Sequence, residues 1–308
     1  MLALIFPGQG SQRPGMGGPW RDHPSWVLVS RLSEVCGRDL DALLIDADAD
    51  TLRATRNAQI ATFVLSLVIL DAARQEGLAA APTAAVAGHS LGEYSALVAA
   101  GVISAEDGAR LVTERGEAMQ SAADAAPGTM AAVLGLDFDT VVQACTGVDG
   151  AWVANDNAPG QVVISGTAEG IERAGANARD LGAKRVLPLA VGGAFHSPLM
   201  APAQVRLETA LRSATFADAA VPIVTNVDAD AHRDGAGSAE RLRAQLCAPV
   251  RWRDSLVRLH TLGATTFVEL GPGTELSGMV KRTVADASRA NVATPDDLAG
   301  LAAVTATG

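Results

Sequence analysis

One segment limits the possible folds more than any other. Thr83–Ala87 is a short apolar run of strand character, and it passes without a linker into Gly88-His89-Ser90-Leu91-Gly92 and then into the helical GEYSALVAAG. A G-x-S-x-G sequence between a strand and a helix is the pattern of a nucleophile turn, in which the central serine sits in a strained backbone conformation and its neighbours must lack side chains. Such a turn needs a sheet whose carboxyl edge is open and a helix packed directly behind it. The five letters alone are a weak signal, since an ordinary glycine turn can carry them; the strand-turn-helix context strengthens it. The amide of Leu91 falls at the helix N-terminus, where its N–H and the helix dipole can stabilise an oxyanion.

The rest of the chain supplies such a sheet. Leu2–Phe6 is a continuous apolar run, expected for a central buried strand, and it enters the glycine-rich loop PGQGSQ. Helices are expected over 26–36, 57–76 and 105–123, the last capped by Ser104. After Pro127-Gly128 the pattern changes. Strands over 129–135, 151–154, 161–165 and 184–189 alternate with helices over 139–145 and 168–181, the second stopped by Gly182. This β-α-β-β-α-β order is the ferredoxin-like arrangement and is compact enough to be an inserted subdomain. Helix 198–213, strand 223–226, helices 239–246 and 253–262, strand 265–270 and helix 275–284 then resume the first pattern. Alternating strands and helices imply a parallel sheet covered on both faces. The expected division is therefore 1–126 with 191–308 as the large α/β part and 127–190 as the insertion. The Ala/Thr/Gly-rich residues after Leu301 are expected to fray.

Composition narrows the function. The 308 residues carry a formal net charge of −10, which argues against nucleic acid as a general partner. Three widely spaced cysteines, Cys36, Cys145 and Cys247, suit reduced thiols in a cytoplasm, and no metal-ligand spacing occurs. The opening MLALIFPGQG reads as a strand entering a turn rather than a signal peptide, and the apolar stretch Ile60–Leu70 is too short to span a bilayer. No membrane association is expected.

A reactive serine needs a base within hydrogen-bond reach. Of the five histidines, His89 adjoins the serine, so its side chain should diverge; His23 and His232 lie in polar loops and His260 on a helix. His196 follows the strand 184–189 and the Gly192-Gly193 loop, at a carboxyl edge where ligand chemistry is expected in open α/β sheets. No acidic third member is singled out, and a backbone carbonyl could orient the imidazole instead.

PGQGSQ, GHSLGEYSALVAAG, RGEAMQ, NDNAPGQVVISG, GAFHSPLM, APVRW and ELGPGTELSG occur in that order over residues 2–285. Together they resemble the malonyl-CoA:acyl carrier protein transacylase family of bacterial fatty-acid synthesis, to which the acyltransferase domains of polyketide synthases are related. The resemblance implies an α/β-hydrolase-like large subdomain with a ferredoxin-like insertion. By motif, Ser90 would be the nucleophile, His196 the base, and Gln9 and Leu91 the donors of the oxyanion-hole amides. Arg115, in RGEAMQ, would hold the malonyl carboxylate. Asn155, Asn157 and Gln161 would line the cleft between subdomains. A main-chain carbonyl at Val250 or Arg251 would orient the histidine; the family's Asn in that segment is Ala248 here. Phe195 would favour malonyl over methylmalonyl by crowding an α-methyl group.

The implied reaction is a ping-pong transfer from malonyl-CoA, as a coenzyme A thioester substrate, to a phosphopantetheinylated acyl carrier protein, with no permanently bound cofactor. The working expectation is a monomer with a basic rim for the acidic carrier, Lys184, Arg185, Lys281 and Arg282 being candidates. Competing readings are a transferase for another acyl group, the transfer subunit of malonate decarboxylase, a serine thioesterase or other hydrolase, and an idle docking protein. Arg115 and the GQGSQ loop argue against the hydrolase.

Overall fold

The computed structural model describes residues 1–305. In chain order the elements are β1 (Leu2–Phe6), α1 (Val27–Cys36), α2 (Leu40–Ile45), α3 (Ala49–Arg53), α4 (Thr55–Gln75), β2 (Thr83–Gly88), α5 (Gly92–Ala99) and α6 (Ala105–Ala125). Then come β3 (Thr129–Leu134), α7 (Phe138–Cys145), β4 (Ala151–Ala158), β5 (Gln161–Gly166), α8 (Ala168–Asp180) and β6 (Arg185–Pro188). The chain continues with α9 (Ala201–Ser213), β7 (Ile223–Val224), β8 (Ala231–His232), α10 (Ser238–Gln245), α11 (Trp252–Thr261), β9 (Thr266–Leu270), α12 (Glu275–Thr283), β10 (Ser288–Val292) and α13 (Leu298–Thr305).

Two sheets result. The larger has the order β10-β9-β1-β2-β7-β8, with every pair parallel except β7 with β8. β1 is buried along its length because it has neighbours and covering layers on all sides. Its residues alternate between two cores, as the strand period requires: Leu2, Leu4 and Phe6 join the core with α4 and α6, and Ala3 and Ile5 join the one beneath α11 and α12. The smaller sheet is antiparallel, ordered β4-β5-β3-β6, which is the ferredoxin-like order for a β-α-β-β-α-β unit. One face packs on α7 and α8; on the other, Met130, Ala132, Ala154 and Val163 merge with the main core.

The sheets are stitched together by backbone. Val250 N–H donates to Ala154 (2.8 Å) and Asp156 N–H donates to Val250 (2.9 Å), and Arg253 pairs with Asp156 at 2.9 Å.

Several sequence expectations shift by a residue or two. Ser104 caps α6 as expected, accepting from Asp107 N–H, and Gly182 follows α8 at φ 97°. The expected helix 198–213 opens as a 3₁₀ turn, Pro198–Met200, before α9. β10 was not anticipated: as an edge strand paired only with β9, it has a polar SRANV sequence without apolar alternation. Beyond Leu301, where fraying was expected, the backbone continues as α13 to Thr305; residues 306–308 lie outside the described residues. α4 is long and apolar enough to cross a membrane, yet 83% of its most apolar window is buried inside the protein. Its hydrophobicity is that of a core helix.

Candidate active site

The turn between β2 and α5 leaves no room for side chains beside the serine. A Cβ on Gly88 would lie 1.9 Å from the carbonyl carbon of Gly92, and one on Gly92 would lie 2.1 Å from the Phe6 carbonyl oxygen. Ser90 itself is held at φ 51°, a left-handed conformation that is uncommon for a residue with a side chain. Asn226, just beyond β7, clamps it: its Oδ1 accepts from the Ser90 N–H at 2.7 Å and its Nδ2 donates to the Gly88 carbonyl at 2.8 Å.

His196 Nε2 lies 2.7 Å from Ser90 Oγ, and Nδ1 lies 2.9 Å from the Gln245 carbonyl oxygen. A carbonyl can only accept, so Nδ1 carries the proton and Nε2 presents its lone pair to the hydroxyl. Burial, reinforced by the nearby Arg115 cation, pushes the imidazole down to about 3, which keeps it neutral. His196 also has a positive φ, 56°.

The orienting carbonyl corrects the expectation of Val250 or Arg251. The Val250 oxygen is occupied by Asp156 N–H in the stitch to β4, and the Arg251 oxygen accepts from Ser255 in the first turn of α11. Gln245 ends α10, where the last carbonyls have no intrahelical donor, so its oxygen is available to the imidazole.

Arg115, in the middle of α6, is 1% exposed. Its guanidinium donates to Gln59 Oε1 (2.6 Å), to Gln245 Oε1 (3.0 Å) and to Ser90 Oγ (3.1 Å), and sits 5.7 Å from the centre of the Tyr94 ring. Ser90 Oγ thus accepts from Arg115 and donates to His196. Among the described residues no carboxylate touches Arg115, and its Nε has no acceptor. The site presents a cation to whatever is bonded to the serine.

These groups open into a cavity of about 220 Å³ between the two sheets. Gln9, Asn155, Asn157 and Phe195 line it. Among the described residues the N–H groups of Gln9 and Leu91 have no hydrogen-bond acceptor, and Leu91 stands at the N-terminus of α5. Gln161 does not line this cavity; its Oε1 accepts from Arg282, because the turn after β4 carries it to the rim. His89 diverges from Ser90 as anticipated, bonding to Asn157 Oδ1 at 2.8 Å, and the other three histidines are engaged elsewhere. Lys281 and Arg282 are exposed in the last turn of α12, whose first turns line the cavity, whereas Lys184 and Arg185 lie at β6.

Four polar residues at the site were not singled out by sequence: Gln59, Glu93, Asn226 and Gln245. Gln59 and Gln245 are isolated polar positions in otherwise unremarkable helices. Glu93 sits inside the serine motif, and an acidic residue in the buried first turn of the elbow helix was the available signal.

Residues 3–301 match the family model described as acyl transferase domain. The chain belongs to the acyl transferase family. The match runs across both sheets, so the small antiparallel sheet is part of the acyl transferase unit. Among curated relatives of this family, the malonyl CoA-acyl carrier protein transacylase of Bacillus subtilis is 44% identical over 91% of this chain and 90% of its own length. That of Escherichia coli K12 is 42% identical over 92% and 93%. Among solved structures, an acyl carrier protein S-malonyltransferase from Vibrio cholerae superposes with a TM-score of 0.93 at 37% identity, covering 97% of this chain and 99% of that one. A malonyl-transacylase solved in complex with a type II polyketide acyl carrier protein gives 0.93 at 36% identity, covering 98% and 99%.

Proposed function

We propose that this acyl transferase is a malonyl-CoA:acyl carrier protein transacylase working through a malonyl ester on Ser90. The observation that carries this reading is the buried Arg115 guanidinium, 3.1 Å from Ser90 Oγ and touching no carboxylate of its own. A planar cation at that distance suits an acyl group with a free carboxylate at its far end.

In the first half-reaction Ser90 Oγ attacks the thioester carbonyl while His196 Nε2 takes its proton. The main-chain N–H groups of Gln9 and Leu91 receive the oxyanion, where losing one such donor typically costs about 10²–10³ in rate. The C–S bond breaks, the proton passes from His196 to the sulfur, and coenzyme A leaves as a thiol. The second half runs in reverse, with the phosphopantetheine thiol of the carrier protein giving its proton to His196 and attacking the ester. Gln245 holds the imidazole through its carbonyl, so no acidic third member is needed. Asn155 and Asn157 offer polar contacts to the acyl chain or thioester, and Phe195 narrows the space beside the α-carbon. The chemistry calls for no resident cofactor.

We assign the catalytic α/β part to 1–126 and 191–308 and the insertion to 127–190, place the enzyme in the cytoplasm, where its free cysteines suit reducing conditions, and place carrier docking near Lys281 and Arg282. Intact-mass analysis after brief exposure to malonyl-CoA should reveal one malonyl adduct, absent in Ser90→Ala and discharged by a holo-carrier protein. An adduct discharged equally fast by water would instead identify a hydrolase.

A further inference from the structure

Arg115 and Glu93 are oppositely charged, each 1% exposed, and among the described residues neither forms an ion pair. One amide separates them. Gln245 Oε1 accepts from Arg115 at 3.0 Å, and Gln245 Nε2 donates to Glu93 Oε2 at 2.8 Å. The same carboxylate oxygen accepts the Asn226 N–H at 3.0 Å. Arg115 can only donate and an ionised Glu93 can only accept, so both ends fix the amide in one orientation. A direct ion pair would have covered the guanidinium; the interposed amide leaves its Ser90 side open.

We propose that Glu93 is the internal counter-charge of Arg115, held one amide away so that an acyl carboxylate can take the guanidinium, and that Glu93 takes up a proton when that carboxylate arrives. This rests on the reading of Arg115 given above. Two anions close to one buried cation repel each other, so the arrival of the second favours protonation of the first. Beneath Glu93 is a cavity of about 10 Å³, room for one water, lined also by His232 and Asp234; it offers the proton a path from solvent.

The charged groups around Glu93 are Arg115 from α6, and Arg233, Asp234 and Arg241 with His232 from the 232–241 stretch, while Asp228 adds negative charge and Tyr94 adjoins it on α5. Burial raises the Glu93 carboxyl to about 7 against the lowering effect of its Gln245 and Asn226 donors. Glu93 is therefore part neutral, part ionised near neutrality. Malonyl affinity should be greatest below that value, with Glu93 neutral, and should weaken as pH rises through it.

Calorimetry tests this with the Ser90→Ala protein, which cannot be esterified, near pH 7 in two buffers of different ionisation enthalpy. Malonyl-CoA should bind with more proton uptake than acetyl-CoA, the shared coenzyme A cancelling in the comparison. Adding Glu93→Gln, which keeps an acceptor but not the charge, should abolish the difference and tighten malonyl-CoA binding at pH 8 by roughly 3- to 10-fold. Equal uptake for both ligands overturns the proposal, as does a Glu93→Gln protein that retains the difference or binds malonyl-CoA more weakly. Should Glu93→Gln not fold, the two-ligand comparison alone decides. Failure of the underlying reading looks different: malonyl-CoA would then bind Arg115→Ala as well as the parent.

Discussion

Replacing Arg115 by alanine should separate two acyl donors that differ by one carboxylate. The guanidinium is buried, donates to Ser90 Oγ at 3.1 Å and has no competing carboxylate among the described residues, so a malonyl carboxylate would meet it in a water-poor cavity. Removing one partner of a buried charge pair costs about 3–5 kcal/mol, because the other is left desolvated and unpaired. At about 1.4 kcal/mol per tenfold, malonylation of Ser90 should slow by roughly 10²–10⁴-fold. Acetylation has no carboxylate to lose. The lost N–H to Oγ contact restrains the nucleophile, and removing the cation makes His196 more basic, so acetylation should change by no more than about tenfold. Single-turnover rates of ester formation, read by intact mass for both donors, decide the matter. Equal losses would refute the argument, because they would make Arg115 a support for the nucleophile and not a reader of the acyl group.

Further outcomes follow from the same geometry. Gly92→Ala should prevent folding, since its Cβ would meet the Phe6 carbonyl at 2.1 Å; soluble expression and circular dichroism check this. Asn226→Ala removes the clamp on the strained Ser90 backbone and should slow malonyl and acetyl transfer alike, with about 1–3 kcal/mol lost in denaturant melts. His196 titrates near 3 when folded against an ordinary 6.5, so the unfolded chain binds the extra proton between these values: its contribution to stability is full above 6.5 and is lost as pH falls toward 3, measurable as a falling denaturation midpoint. Across that window the base itself stays neutral, and acylation should not show a histidine titration near 6.5. Charge reversal at Lys281 and Arg282 should raise the KM for a carrier protein while leaving Ser90 malonylation by malonyl-CoA unchanged.

The sequence determined what is local. A strand of five apolar residues, a serine between glycines that must be bare, a switch of periodicity after Pro127-Gly128 and a capping Ser104 are properties of neighbouring residues, and the elements expected from them formed within a few positions of their expected places, whereas α2, α3, β8, β10 and α13 were not anticipated. Local context pointed to Ser90 and chain position to His196, and ordered motifs carried the family and, through it, Arg115. Tertiary structure decided where free backbone and buried polar groups meet. Val250 was the expected carbonyl, but pairing with β4 uses it, and the end of α10 offers Gln245 in its place. Likewise Gln59, Glu93, Asn226 and Gln245 come from four separate stretches of chain, and their local sequence does not record that Gln59 meets Arg115 or that the other three complete one another's hydrogen bonds. A buried donor or acceptor must find a partner wherever the fold brings one, so such networks are fixed by packing and not by spacing along the chain.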